Sequence, residues 1–157
     1  MTRISLEPPY GARDPRDMAA LVDALPEHIE QSLTRLAESP WRPTVRTPSL
    51  LAVGGMGGSA IAGELTAATF ADQLPRPMLV VRDYHLPACV DRDALMVLSS
   101  NSGNTEETLA LASEAIARGV PSVALASGGA LAEQAAQHAW PLHRVPGGMP
   151  PRAALFH

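Results

Sequence analysis

Two loops of this 157-residue chain carry residues whose types and spacing suit anion binding. The first, residues 53–59, reads Val-Gly-Gly-Met-Gly-Gly-Ser. Its glycines allow positive φ and close approach of the backbone to a ligand. A helix that begins here would direct unpaired N–H groups and its positive end at that ligand, an arrangement that favours phosphate. Ser59 can cap this helix or donate its hydroxyl to the anion.

The second loop, residues 99–107, reads Ser-Ser-Asn-Ser-Gly-Asn-Thr-Glu-Glu and offers hydroxyl and amide side chains around one glycine. Thr105 or Asn104 is expected to cap the next helix, and Glu106 and Glu107 suit its positive first turn. Each loop alone is also compatible with a plain turn before a capped helix. The presence of both loops favours an oxyanion site built from neutral donors.

The elements that must position these loops follow from the apolar pattern. Short apolar runs at 50–53, 78–81, 95–98 and 123–126, with a weaker one at 140–145, are typical of strands buried on both faces. Helical patterns lie between the strands at 58–71, 104–118 and 129–139, and two more precede the first strand at 15–25 and 26–38. Residues 83–93 are predicted to form a long connection without a helix. The pattern predicts an α/β fold, a doubly wound parallel sheet of about five strands preceded by N-terminal helices. Ligands bind beyond the carboxyl ends of such strands, where both loops would lie.

The amino-acid composition excludes several classes of protein and of functional site. All 12 basic residues are arginines, which excludes a Walker-A loop and a Schiff-base lysine. The net charge of −4 gives no general attraction to nucleic acid or to an anionic membrane, and the apolar runs are too short to span one. The single cysteine, Cys89, excludes an intrachain disulfide and is expected to be a buried or inert thiol. We expect no metal, no cofactor and a cytoplasmic location.

A dinucleotide-binding domain is an alternative. Residues 55–60 satisfy G-x-G-x-x-A, Asp83 follows the second strand, and Arg82 suits a 2′-phosphate. This fingerprint leaves the loop at 99–107 unexplained.

Four motifs, in order, resemble the SIS domain, and in particular the branch of bifunctional phosphoglucose/phosphomannose isomerases. They are Gly-Met-Gly-Gly-Ser at 55–59, the Ser-x-Ser-Gly-Asn-Thr-x-Glu-Thr pattern at 100–108, Ser-Gly-Gly-x-Leu at 127–131 and Pro-Arg-Ala-Ala-Leu at 151–155. The resemblance extends from about residue 20 to 155. Asn101 stands where the family usually has Tyr, and Ala126 replaces the usual Thr.

The resemblance implies a hexose 6-phosphate ligand and aldose–ketose isomerisation through an enediolate, whose charge Arg152 would stabilise. The implied phosphate-binding residues are Gly57, Gly58, Ser59, Ser100, Ser102 and Thr105. A non-catalytic phosphosugar sensor is the second alternative. Glu64 and His85 are candidates for a local base, although surface positions explain both more simply.

The resemblance also implies a flavodoxin-like three-layer sandwich and the domain organisation. Residues 1–45 form an N-terminal arm and helices, 46–145 the SIS-type domain, and 146–157 the start of a linker to a second lobe. In the family that lobe carries the glutamate base, the ring-opening histidine and a lysine, so this lobe alone is expected to bind rather than turn over. An exposed apolar patch and a homodimer are expected.

Overall fold

The computed structural model describes residues 10–38 and 47–149, and its centre is a sheet of five parallel strands. The strands are β1 (Leu51–Gly54), β2 (Met78–Val81), β3 (Leu95–Ser99), β4 (Ser122–Ala126) and β5 (Leu142–Arg144). Their order is β2-β1-β3-β4-β5, the flavodoxin-like doubly wound order. The predicted α/β fold is confirmed, including the weak fifth strand.

Five α-helices accompany the sheet within the described residues. They are α1 (Met18–Asp23), α2 (Leu25–Glu38), α3 (Gly57–Thr69), α4 (Glu106–Arg118) and α5 (Gly129–Gln137), after a 3-10 turn at Gly11–Arg13. From β1 the chain proceeds through α3 to β2 at one edge of the sheet. From β3 it proceeds through α4 and α5 to β4 and β5 at the other edge. Right-handed crossovers therefore place α3 on one face and α4 with α5 on the opposite face.

The core lies on the central strands, as the unbroken apolar runs predict. Met96 and Leu98 of β3 are fully buried, and α4 faces the sheet with Thr108, Leu111, Ala112 and Ala115. Those four positions recur at helical spacing, so one stripe of α4 is enclosed while the opposite side meets solvent. This packing fixes where α4 begins, which is beside the carboxyl ends of the strands.

The connection between β2 and β3 contains no helix, as predicted, and α4 holds it in place. Glu114 contacts His85 Nδ1 at 2.7 Å and accepts the Leu86 N–H at 2.9 Å. The hydrogen bond between His85 and Glu114 raises the pKa of His85 and lowers the pKa of Glu114. The pair therefore weakens as pH rises through the raised pKa of His85 or falls through the lowered pKa of Glu114.

Several apolar side chains on α2 and α3 are exposed. Ile29, Leu33 and Leu36 follow helical spacing on α2, yet they are exposed, Leu33 by 61%. Ile61 and Leu65 of α3 are exposed as well. Of the two expectations for Cys89, burial is wrong: the thiol is exposed, because it lies in a turn of the long connection rather than in the sheet.

No helix within residues 10–38 and 47–149 is long and apolar enough to cross a membrane. The predicted arm before residue 10, the proline-rich boundary near 45 and most of the segment 146–157 lie outside the described residues.

Candidate functional site

A cavity of about 450 Å³ opens at the carboxyl edge of the sheet, where β1, β3 and β4 end. Its lining residues are Met56, Ser59, Asn101, Ser102, Thr105, Ser127, Gly148 and Met149. The strand order reverses between β1 and β3, and this switch point is where doubly wound sheets bind ligands. The structure thus brings together the two loops that the sequence singled out.

The start of α3 faces this cavity without a side-chain cap. Met56 occupies the N-cap position, and it makes no capping hydrogen bond. Of the two roles expected for Ser59, capping is wrong, because Ser59 lies inside the first turn and its N–H bonds to the Met56 carbonyl at 3.1 Å. The N–H groups of Gly57 and Gly58 have no acceptor within the helix. No other described residue accepts from them either, so on this part of the chain they can donate to a ligand.

Close packing explains Gly55 in the first loop. A Cβ there would lie 2.8 Å from the Ser99 carbonyl and 3.0 Å from the Ser59 side chain. Only glycine lets the chain pass this close to the end of β3, so the first loop sits directly against the second.

The start of α4 is also uncapped. Thr105 is the N-cap residue, as predicted, but its hydroxyl makes no capping hydrogen bond. It lies 2.8 Å from the hydroxyl of Ser100 instead. The Asn104 side chain does not cap α4 either, because its Oδ1 accepts the Ala130 N–H of α5 at 3.0 Å.

The turn after β4 is bonded to the loop after β3 at several points. The Ser127 N–H and hydroxyl both donate to the Asn101 carbonyl, at 3.0 Å and 2.6 Å. The Leu131 N–H donates to the Gly103 carbonyl at 2.9 Å. With the Asn104 bond, these contacts engage the early N–H groups of α5. The helix starts open to a ligand are therefore those of α3 and α4.

Gly103 makes this contact between loops possible. It has a φ of +71°, and a Cβ at this position would overlap the Gly128 carbonyl. A side chain at residue 103 would separate the two loops and move Ser102 and Thr105 with them.

The structure places the predicted site residues in three groups. Ser59, Ser102 and Thr105 line the cavity, and Gly57 and Gly58 begin the helix beside it. Ser100 is 2% exposed and does not line the cavity. Arg152 lies outside the described residues.

Sequence reasoning missed part of the lining. Ser127 follows β4, and β4 pairs with β3 in parallel. This pairing places Ser127 at the carboxyl edge of the sheet, beside the loop that follows β3. Asn101 stands out in the motif only as a departure from the family pattern. Met56 and Met149 carry no local signal, because apolar residues at loop positions are common on any surface.

Arg82 and Asp83, the residues that a dinucleotide site would use, have other partners. Arg82 Nη2 pairs with Glu64 Oε2 at 2.7 Å, and Asp83 Oδ1 accepts the Tyr84 N–H at 2.6 Å. None of these residues lines the cavity. The sheet order also differs from the 3-2-1-4-5-6 order typical of dinucleotide domains. Glu64 and His85, the candidate local bases, are paired on the outer surface with Arg82 and Glu114.

Comparison with known proteins agrees with this architecture. The sequence pattern of the SIS domain matches residues 49–143, more than half of the chain. The bifunctional phosphoglucose/phosphomannose isomerase of Caldicellulosiruptor bescii is 45% identical over 103 residues, which cover 66% of this chain and 30% of the relative. The isomerase of the same name from Thermoplasma acidophilum is 40% identical over 109 residues, covering 69% of this chain and 33% of the relative.

Solved structures share the fold. The Vibrio vulnificus NanR protein complexed with ManNAc-6P superposes with a TM-score of 0.59 at 21% identity, covering 88% of this chain and 56% of that one. The chain spans about a third of the length of the curated relatives it matches. It belongs to the SIS domain family, and its SIS domain is related to the bifunctional phosphoglucose/phosphomannose isomerases.

Proposed function

We propose that the cavity binds a hexose 6-phosphate and holds its phosphate group between the starts of α3 and α4. The observation that carries this proposal is that two uncapped helix starts open on one cavity lined with hydroxyl groups. Uncapped N–H groups and the positive helix ends both favour an anion.

The donors for the phosphate are the hydroxyls of Ser59, Ser102 and Thr105, the N–H groups of Gly57 and Gly58, and the uncapped N–H groups at the start of α4. Ser102 Oγ accepts the Asn104 N–H at 3.2 Å, which leaves its own proton for a ligand. A hydrogen bond to a charged group contributes about 1.5–3 kcal/mol. Several such bonds can hold a phosphate without the ammonium group that this chain lacks.

Two carboxylates oppose the anion. Glu106 and Glu107 lie in the first turn of α4. Desolvation of Tyr84 raises the pKa of that side chain, and the negative charges of Glu106 and Glu107 raise it further. Glu106 is exposed and Glu107 is half-buried, so water and salt screen both charges. Hydrogen bonds inside the cavity act at contact distance and are screened far less, so the donors prevail.

The rest of the cavity suits a sugar. A volume of about 450 Å³ lies in the usual range for small-molecule sites. Asn101 and Ser127 present polar groups for sugar hydroxyls, and Met56 and Met149 present apolar surface for the carbon skeleton. The NanR protein of similar fold was solved with the phosphosugar ManNAc-6P, which supports this ligand class.

The proposed reaction is the interconversion of glucose 6-phosphate or mannose 6-phosphate with fructose 6-phosphate. The names of the relatives in Caldicellulosiruptor bescii and Thermoplasma acidophilum support it. Moving a proton between C1 and C2 needs a base, and the charge of the enediolate needs a stabilising cation. Arg152 is proposed for the cation, three residues after the cavity residue Met149.

A phosphosugar sensor without turnover is the second candidate. The observation that favours it is the neutral lining: the described residues that line the cavity carry no carboxylate, imidazole or other base. Under the isomerase proposal, a base enters from outside those residues.

Removing two hydroxyls tests phosphate binding. We expect the substitutions Ser59→Ala and Ser102→Ala each to weaken binding of glucose 6-phosphate about tenfold or more, since each removes a hydrogen bond to the charged phosphate. Isothermal titration calorimetry on the whole chain measures the change. The matched control is Ser113→Ala, because Ser113 lies on the exposed side of α4 and its hydroxyl bonds only to the Leu109 carbonyl.

Equal affinity of S59A, S102A and the wild-type chain would contradict the proposal, as would the absence of wild-type binding. Saturable NADH binding that is lost on Asp83→Ala would favour the dinucleotide alternative.

Turnover separates the isomerase from the sensor. If Arg152 stabilises the enediolate, Arg152→Gln should lower kcat for isomerisation of mannose 6-phosphate at least a hundredfold, while glucose 6-phosphate binding changes much less. A coupled assay for fructose 6-phosphate measures this. Tight binding by the wild-type chain with no turnover would favour the sensor or an isomerase lobe that needs its second lobe for the base.

We also propose that two copies associate through exposed apolar side chains, of which Leu33 and Leu36 on α2 are the clearest. Light scattering over a range of concentrations should show an apparent mass rising above 16.5 kDa. Leu33→Gln should reduce the rise, whereas Glu30→Gln, on the same helix, should not. A mass that stays at the monomer value would contradict this expectation.

A further inference from the structure

A second cavity, of about 400 Å³, opens at the amino edge of the sheet, opposite the candidate site. It is a wedge between the end of α3 and the start of β2, and we call it the edge cleft. Ala67 and Ala71 line it on the helix side, and Leu74 and Met78 line it on the strand side. Because β2 is the first strand in the order of the described sheet, no further strand of that sheet covers its outer side.

The edge cleft carries one ionisable side chain among its described lining residues, that of Arg76. Arg76 is exposed, and none of the ion pairs formed by the described residues includes it. An apolar wedge with one cation suits an apolar segment that carries a negative charge. Burial of the alkyl groups supplies the attraction, and the charge contact fixes the orientation.

Helix α2 directs its polar side toward the protein and its apolar side toward solvent. Its half-buried polar residues recur at helical spacing, and they are His28, Ser32 and Arg35. Leu33 and Leu36 lie on successive turns and are 61% and 49% exposed. A surface helix of a globular protein normally turns its apolar side inward, so this reversed arrangement indicates that another surface covers the leucines.

The end of α2 matches the edge cleft in charge as well as in polarity. Glu38 is the last residue of the helix, is exposed and belongs to none of the ion pairs of the described residues. The carboxyl end of a helix also carries a partial negative charge, which favours a cation beside it. The last turns of α2 therefore present two leucines and then negative charge, and the edge cleft presents an apolar wedge and Arg76.

The occupant that fits is the α2 helix of a second copy. The α2 helix of the same chain does not fill the edge cleft, since its leucines are exposed to solvent. Two copies that exchange their α2 helices about a two-fold axis fill both clefts, so the assembly closes at two chains.

We propose that the edge cleft of each copy receives the end of α2 from a second copy, with Leu33 and Leu36 in the wedge and Glu38 beside Arg76. This inference rests on the proposed self-association, because it assigns the surface that the exposed leucines of α2 contact.

Charge reversal tests the proposed contact on the whole chain. The variants Arg76→Glu and Glu38→Arg each place like charges in both contacts of the dimer. We expect each to raise the dissociation constant of the dimer about tenfold. Sedimentation velocity over a range of concentrations measures this constant, and the wild-type mass should level off at twice the chain mass of 16.5 kDa.

Mixing the two variants distinguishes a second copy from the same chain. A dimer of one R76E chain with one E38R chain contains one native contact and one reversed contact, and both join opposite charges. An equimolar mixture should therefore dimerise within about twofold of wild type. If α2 instead docked into the cleft of its own chain, mixing would restore nothing, and that result would overturn the inference.

Further variants separate the cleft from general effects of charge and folding. Ala71→Phe fills the wedge without changing any charge and should weaken dimerisation about tenfold. Glu30→Arg and Arg92→Glu reverse a charge outside the cleft and should change the dissociation constant less than twofold. Urea unfolding checks that each variant is folded. If R76E is not, Arg76→Gln replaces it and should weaken dimerisation in the same direction.

Dimerisation that is unchanged by both the Arg76 variant and A71F would overturn this inference and leave the proposed self-association standing. A wild-type mass that stays at one chain over the whole concentration range would overturn both.

Discussion

The site depends on the hydrogen bonds that join the turn after β4 to the loop after β3. They use the early N–H groups of α5 internally, through Asn104 and the Gly103 carbonyl. They also fix the backbone of Asn101 through Ser127. The loop between them is thereby held in one shape with Ser102 and Thr105 facing the cavity, before any ligand arrives. Preorganisation of this kind reduces the entropy lost on binding.

The donors that remain are neutral, and this has a physical consequence. A buried lysine would need a partner for its charge when no ligand is bound, whereas hydroxyls and amides at an open cavity can be satisfied by water. Neutral donors also hold a phosphate in a defined geometry through several directional bonds. The composition of the chain, with arginine as its only basic side chain other than histidine, is consistent with such a site.

Much of the fold could be predicted, because a strand buried on both faces leaves an unbroken apolar run, as at 95–98, and the alternation of such runs with helices indicates a doubly wound parallel sheet. The two loops could be located for the same reason. The caps could not. Thr105 was expected to cap α4, but its hydroxyl has a competing partner in Ser100, and a pattern of residue types does not show which partner is chosen. Ser127 was missed because its place depends on pairing between β3 and β4, which is not local.

The central claim is that the starts of α3 and α4 donate N–H groups to a phosphate. Titration of the ¹⁵N-labelled chain with glucose 6-phosphate, followed by amide NMR shifts, tests it most directly. The account predicts saturable shifts at Gly57, Gly58 and Glu106 with one dissociation constant, and much smaller shifts at Ala130 and Leu131, whose N–H groups are already engaged. Unchanged amides at both helix starts, or the largest shifts at Asp83, would contradict it.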